Sequence, residues 1–148
     1  MHFVPEKINR IVDQLDALRC RPAMELGTFT YVESGYKTDN TPPDGPWAPF
    51  PDDLAFGGKD RHFWFHHCFR APASQAGCRL YFDLRTAKPH FDHRIARFAN
   101  EDGWDASKPQ GLVYLKGEMV QCLDVNHRQV LLQPETDYDM YLYFYCGT

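Results

Sequence analysis

A chain of 148 residues with a formal net charge of −4 fits one domain and lacks the basic face that a nucleic-acid or anionic-membrane partner requires. Hydrophobic residues make up 43% and aromatics 15%, and the excess of Phe and Tyr over Ala points to a β-rich core that needs no covalent staple. The five cysteines are an odd number without a CxxC pair, which fits neither a disulfide framework nor a zinc ribbon, so they read as reduced thiols.

The opening segment, MHFVPEKINR, has no apolar stretch of signal-peptide type, and no apolar run approaches membrane-spanning length. A cytoplasmic protein without a membrane partner is the expectation. From Glu6 to Arg19, Ile8, Ile11, Val12, Leu15 and Leu18 recur at helical spacing, with Pro5 where a first turn tolerates it. This predicts one amphipathic helix. Residues 1–26 form a helical lead-in on this reading, and 27–148 a single sandwich domain.

Thr28 to Tyr36, rich in Thr, Tyr, Phe and Val, reads as one extended strand or two short ones. Lys37 to Lys59 holds Pro42, Pro43, Pro46, Pro49 and Pro51 and reads as a long loop, in which Trp47 and Phe50 serve as anchors or, for Trp47, as a sugar-stacking ring. Arg61 to Arg70 alternates Phe63, Phe65, His67 and Phe69 against His62, Trp64, His66 and Cys68. Both faces are heavy, so this strand is expected near the middle of a sheet. Cys78, Leu80, Phe82 and Leu84 alternate with charged and tyrosyl residues, which predicts a half-buried strand.

Thr86 to Ser107 is expected to be an excursion with one short helix. Gly111 to Leu115 and Met119 to Leu123 form a hairpin around Lys116-Gly117, and His127 to Leu132 is expected to continue it as a meander after a polar turn at Asp124-Val125-Asn126. The last strand places Tyr138, Met140, Leu142 and Phe144 on one face and Tyr141, Tyr143 and Tyr145 on the other. Leu80, Phe82, Leu84, Val130, Leu132, Leu142 and Phe144 are the expected core. Short strands with polar turns and no βαβ alternation predict a mainly β, β-sandwich fold of jelly-roll type with one N-terminal helix. Coverage of the three tyrosines is expected from the helix stripe or from another protein surface.

The blocks GGKDRHFWFHHCFRAP, PQGLVYLKG, DVNHR and PETDYDMYLYFYCG, in this order between Gly57 and Gly147, resemble the N-terminal, non-catalytic region of bacterial and fungal α-mannosidases of glycoside hydrolase family 38. The resemblance implies a small sandwich related to galactose-binding-like modules, attached to a catalytic domain. That domain would hold a zinc ion through Asp and His residues and hydrolyse terminal α-mannose from oligosaccharides. None of its HxHxD-type segments occurs here, so no catalytic residue, metal ligand or cofactor is expected in this chain, and zinc is expected only in the missing catalytic domain.

Direct readings of chemistry agree. His66 and His67 are adjacent in a strand and point to opposite faces; His90 and His93 lack a third donor nearby. There is no GxSxG, no phosphate loop and no papain-like cysteine context, and Cys68 and Cys122 read as small strand hydrophobes. Asp124, Asn126 and His127 are the only candidates for a substrate-side loop contact, and the same residues fit an Asx-type turn. Expected partners are the catalytic domain of the same chain, a second copy, or an oligosaccharide. The alternatives to an enzyme's accessory domain are a free-standing carbohydrate-binding module and a structural interaction domain.

Overall fold

The computed structural model describes residues 4–19, 21–36, 41–51, 56–84, 110–123 and 127–146. Among these residues one helix, α1 (Val4–Arg19), precedes eight strands: β1 (Thr30–Ser34), β2 (Ala48–Pro49), β3 (Arg61–Arg70), β4 (Leu80–Asp83), β5 (Gln110–Leu115), β6 (Glu118–Leu123), β7 (Gln129–Leu132) and β8 (Asp137–Cys146). All strand pairs are antiparallel. Six strands form the main sheet in the order β2-β1-β3-β8-β5-β6, and β4 pairs with β7 in a second, two-stranded sheet.

The centre of the main sheet is the β3–β8 pair, in register from Arg61 opposite Cys146 to Arg70 opposite Asp137. Period-2 side-chain alternation then sorts each strand onto two faces. On one face Phe63 and Phe65 of β3 join Met140, Leu142 and Phe144 of β8, Val113 and Leu115 of β5 and Leu123 of β6. Phe82, Val130 and Leu132 of the smaller sheet pack onto this face, and all of them are buried in one core. Tyr31, Phe50 and Phe56 close its open flank, with Phe56 in ring contact with Phe63, Phe65 and Phe144.

Two local features hold this arrangement. Lys116 (φ 54°) and Gly117 (φ 83°) both adopt the left-handed conformation of a primed hairpin turn, whose twist matches that of β5 and β6. Gly111 lies beneath the Phe144 ring. A Cβ there would sit 2.5 Å from Cε1 and 2.8 Å from Cδ1, so only glycine lets the ring lie flat against the neighbouring strand.

The sheets are tied at their edge by polar bonds: Gln121 Nε2 donates to the Gln129 carbonyl (2.9 Å), and the Gln133 amide donates to the Tyr138 hydroxyl (2.7 Å). Arg61 grips the Glu33 carboxylate with two nitrogens, at 2.7 and 2.5 Å, and links β3 to β1.

Several expectations change. The block from β5 to β7 is a hairpin followed by a crossing, because β7 leaves the main sheet to pair with β4. Its apolar residues, Val130 and Leu132, are more useful as the second layer over the core than as a further edge strand. Leu80 and Leu84, at the ends of β4, are half-buried and not buried, where the two-stranded sheet runs out. Cys68 and Cys122 are exposed thiols, since each falls on the face that the second sheet does not cover. Cys78 is also exposed and Cys146 is buried.

The helix α1 forms as predicted, but among the described residues it packs against no strand. Ile8, Ile11, Val12, Leu15 and Leu18 are each more than half exposed. It therefore does not cover the tyrosine row. The excursion expected over Thr86 to Ser107, with His90 and His93, lies outside the described residues. No described helix is long and apolar enough to cross a membrane.

Candidate functional site

The face of the main sheet turned away from the second layer carries an unusual density of rings with polar atoms. β3 contributes His62, Trp64, His66 and Cys68 at alternate positions, and β8 contributes Tyr145, Tyr143, Tyr141 and Asp139 directly opposite them. The register therefore sets each imidazole against a phenol. Such opposed pairs sit close enough to interact side chain to side chain.

At one end, His62 Nδ1 is hydrogen-bonded to the Tyr143 hydroxyl at 2.5 Å, and its ring lies 5.0 Å from that of Tyr145. Tyr145 donates its hydroxyl proton to Asp60 Oδ1 at 2.9 Å. Tyr36, 75% exposed, stands edge-on to His62. These five residues line a shallow, open recess of ≈ 430 Å³. Burial is the main cause that pushes the Tyr143 phenol above its ordinary value; for Tyr145 the main cause is its bond to Asp60. Both hydroxyls are therefore held as neutral donors and acceptors.

The middle of the face is sealed. Trp64 is 1% exposed, with ring centroids 5.0 Å from Tyr143 and 5.5 Å from Tyr114. Trp64 Nε1 and the Tyr114 hydroxyl are buried and have no hydrogen-bond partner among the described residues. Uncompensated groups of this kind cost about 1–3 kcal/mol each, which the tight ring packing around them must offset.

At the other end, the His66 ring stacks on Tyr141 (4.3 Å, 22°), and Trp47 meets both rings edge-on at 5.9 Å. Trp47 is held there by its own Nε1, which donates to the Pro43 carbonyl at 3.2 Å. The loop tryptophan thus anchors the proline-rich segment to this face while leaving part of its ring accessible. Beyond the stack, His66 Nε2, Cys68 Sγ and an Asp139 carboxylate oxygen all lie within 4.8 Å of one another. Partial burial is the main cause raising the Cys68 thiol above its ordinary value, helped by the neighbouring Asp139 carboxylate. Donors of these three kinds could hold a metal ion.

The residues singled out in the sequence lie elsewhere. His127 is exposed at the approach to β7, on the side of the smaller sheet, while Asp124 and Asn126 lie outside the described residues. The two aromatic rows were each read from the sequence, but their pairing was missed, because the partners are about 70 to 85 positions apart in the chain and meet only through the β3–β8 register. A signal was present: His62, Trp64 and His66 alternate along one strand and Tyr141, Tyr143 and Tyr145 along the other. No protein-family model, curated protein or solved structure matches the chain.

Chemically, the face presents rings beside imidazoles, hydroxyls and carboxylates. It can stack on an apolar ligand surface and hydrogen-bond to the ligand's polar rim. It does not assemble a nucleophile and relay: His66 Nε2 faces both Asp139 and Cys68, whereas a catalytic relay uses the two ring nitrogens for two different partners.

Proposed function

We propose that this chain is the N-terminal accessory domain of a zinc-dependent α-mannosidase of glycoside hydrolase family 38, with a jelly-roll, galactose-binding-like sandwich that serves as scaffold for a catalytic domain. The observation that carries the reading is the apolar stripe of α1. Ile8, Ile11, Val12, Leu15 and Leu18 stand in water over about three helical turns, and a surface of this kind is expected to be covered by another protein body. The four blocks of family-like sequence add support. Three of them run through β3, β5 and β8, which adjoin one another in one sheet, and of the fourth, DVNHR, only His127 and Arg128 are described, just before β7.

In this reading the domain contributes packing and one wall of the approach to a substrate, and hydrolysis of terminal α-mannose belongs to the whole enzyme. No HxHxD-type zinc segment occurs in the sequence, so no role in that chemistry is carried over to a residue of this chain. Reading the coding sequence past Thr148 tests the assignment: continuation into an Asp/His zinc motif is the expected result, and a stop codon there overturns it. The purified 148-residue chain is expected to release no phenol from an aryl α-mannoside with or without zinc. Turnover lost on chelation would contradict the scaffold role.

A second reading, a free-standing carbohydrate-binding module, is favoured by the recess of Tyr36, Asp60, His62, Tyr143 and Tyr145, where aromatic rings stand beside hydrogen-bonding groups. Titration with mannose and α-mannobiose while recording amide shifts separates the two. Saturable, millimolar or tighter shifts centred on these tyrosines are the outcome a binding module requires; unchanged spectra exclude it.

A further inference from the structure

We propose that His66, Cys68 and Asp139 form an open, three-ligand site for a zinc-class divalent cation, bound through the histidine Nε2, the cysteine Sγ and one carboxylate oxygen. The proposal depends on neither reading above. It starts from the sheet. His66 and Cys68 are two residues apart on one face of β3, and Asp139 of β8 is the register partner of Cys68, so all three backbone positions are fixed by hydrogen-bonded strands. No loop has to close to bring the donors together.

The distances between the donors suit a tetrahedral ion. Zn–N and Zn–O bonds of about 2.0–2.1 Å and a Zn–S bond of about 2.3 Å place nitrogen or oxygen about 3.5–3.6 Å from sulfur. Cys68 Sγ lies 3.5 Å from His66 Nε2 and 3.6 Å from Asp139 Oδ1. The His66–Asp139 pair, now hydrogen-bonded at 2.7 Å, has to open by about 0.6 Å to span the N–O edge of the same tetrahedron. The Asp139 side chain is about half exposed and free to make that adjustment.

The contacts of the His66 ring also fit. The face-to-face stack on Tyr141 and the edge contact with Trp47 fix the plane of the imidazole. The convergence of one His66 nitrogen on both a thiol and a carboxylate, unproductive for a proton relay, is the arrangement expected of ligands around a common centre.

The donor types select the ion. A sulfur ligand beside imidazole and carboxylate suits Zn²⁺ or Co²⁺ and disfavours Ca²⁺ and Mg²⁺, which prefer oxygen shells. Binding releases the Cys68 thiol proton to solvent, so thiolate, carboxylate and neutral imidazole together balance the two positive charges. Cys68 and Asp139 are exposed, which leaves the fourth coordination position to water or to a ligand atom arriving over the aromatic face.

The test uses the reduced, chelator-stripped 148-residue chain titrated with Co²⁺ and then with Zn²⁺. One equivalent of Co²⁺ should give a thiolate-to-metal band in the near ultraviolet and the intense visible bands of four-coordinate cobalt, both removed by Zn²⁺. Cys68→Ala and Asp139→Asn should each weaken binding by more than about tenfold, since loss of even an outer-shell partner at a metal site costs that much. Cys78→Ala and the double variant His90→Gln/His93→Gln should bind as before. A second measurement needs no variant: Zn²⁺-induced amide shifts in the unaltered chain should centre on His66, Cys68 and Asp139. A pale six-coordinate cobalt spectrum without a thiolate band, unchanged binding by Cys68→Ala, or shifts centred on residues 85–109 would each overturn the site.

Discussion

The two faces of the main sheet are made by the same strands, one residue out of step. On the covered face the side chains of Phe63, Phe65, Leu142 and Phe144 carry no polar atom and are closed over by Phe50 and Phe56 together with the core residues of β4 and β7. On the open face His62, His66, Tyr141, Tyr143 and Tyr145 supply comparable ring area, yet every ring ends in a nitrogen or hydroxyl. Hydrophobic content alone does not distinguish them. The difference lies at the ring tips: an all-carbon face gains by excluding water, whereas a face of amphipathic rings can stay at the surface with its polar ends hydrated or engaged.

The comparison is broken most directly from the covered side. Phe144→Ala is expected to lower unfolding free energy by about 3–5 kcal/mol, as loss of a buried ring does when its surroundings cannot collapse. Urea denaturation measures this. A cost below about 1 kcal/mol would mean that the second sheet does not seal the core, in conflict with the general cost of such truncations.

Gly111→Ala should follow, at about 1–3 kcal/mol, because the added methyl group meets the Phe144 ring in a core without slack. The pair Gly111→Ala/Phe144→Leu sharpens this: if the ring is the cause, the double variant loses less than the sum of the single changes.

On the open face, Tyr143→Phe removes one hydroxyl from the His62 bond and keeps the ring over Trp64. The expected loss is about 0.5–1.5 kcal/mol, so the same strand should show a several-fold contrast between positions 143 and 144.

The smallest effect belongs to the exposed Arg61–Glu33 pair. The Arg61 hydrogen bond holds the Glu33 carboxyl below its ordinary value. A lowered folded-state pKa contributes stability above the unfolded value of about 4.3, and that contribution disappears as pH falls through the lower folded value. The difference in urea midpoint between the unaltered chain and Glu33→Gln should therefore be small near neutrality and vanish in acid. A difference that grows in acid would reverse the assignment.

Strand alternation was the most legible part of the chain. Tyr138 to Cys146 and Arg61 to Arg70 each announce two faces through period-2 spacing, and Lys116-Gly117 announces its turn through residue type. The layer to which β7 belongs was not legible, because Val130 and Leu132 would serve equally in a continued meander or in a second sheet. Local pattern fixes a strand's faces; it does not choose its neighbour. The candidate site was hidden for the same reason. Asp124, Asn126 and His127 stand out as a local polar cluster, whereas His66, Cys68 and Asp139 become neighbours only when β3 and β8 pair.

The ten consecutive rungs shared by β3 and β8 also restrict how this chain can change in length. Inserting a single residue within either strand would exchange the two faces for every position beyond it, driving tyrosines and histidines toward the core and phenylalanines into water. Insertions of two residues would preserve the faces but shift which histidine meets which tyrosine. Natural variation in length is therefore expected to gather in the connecting segments, while the central pair evolves by substitution only.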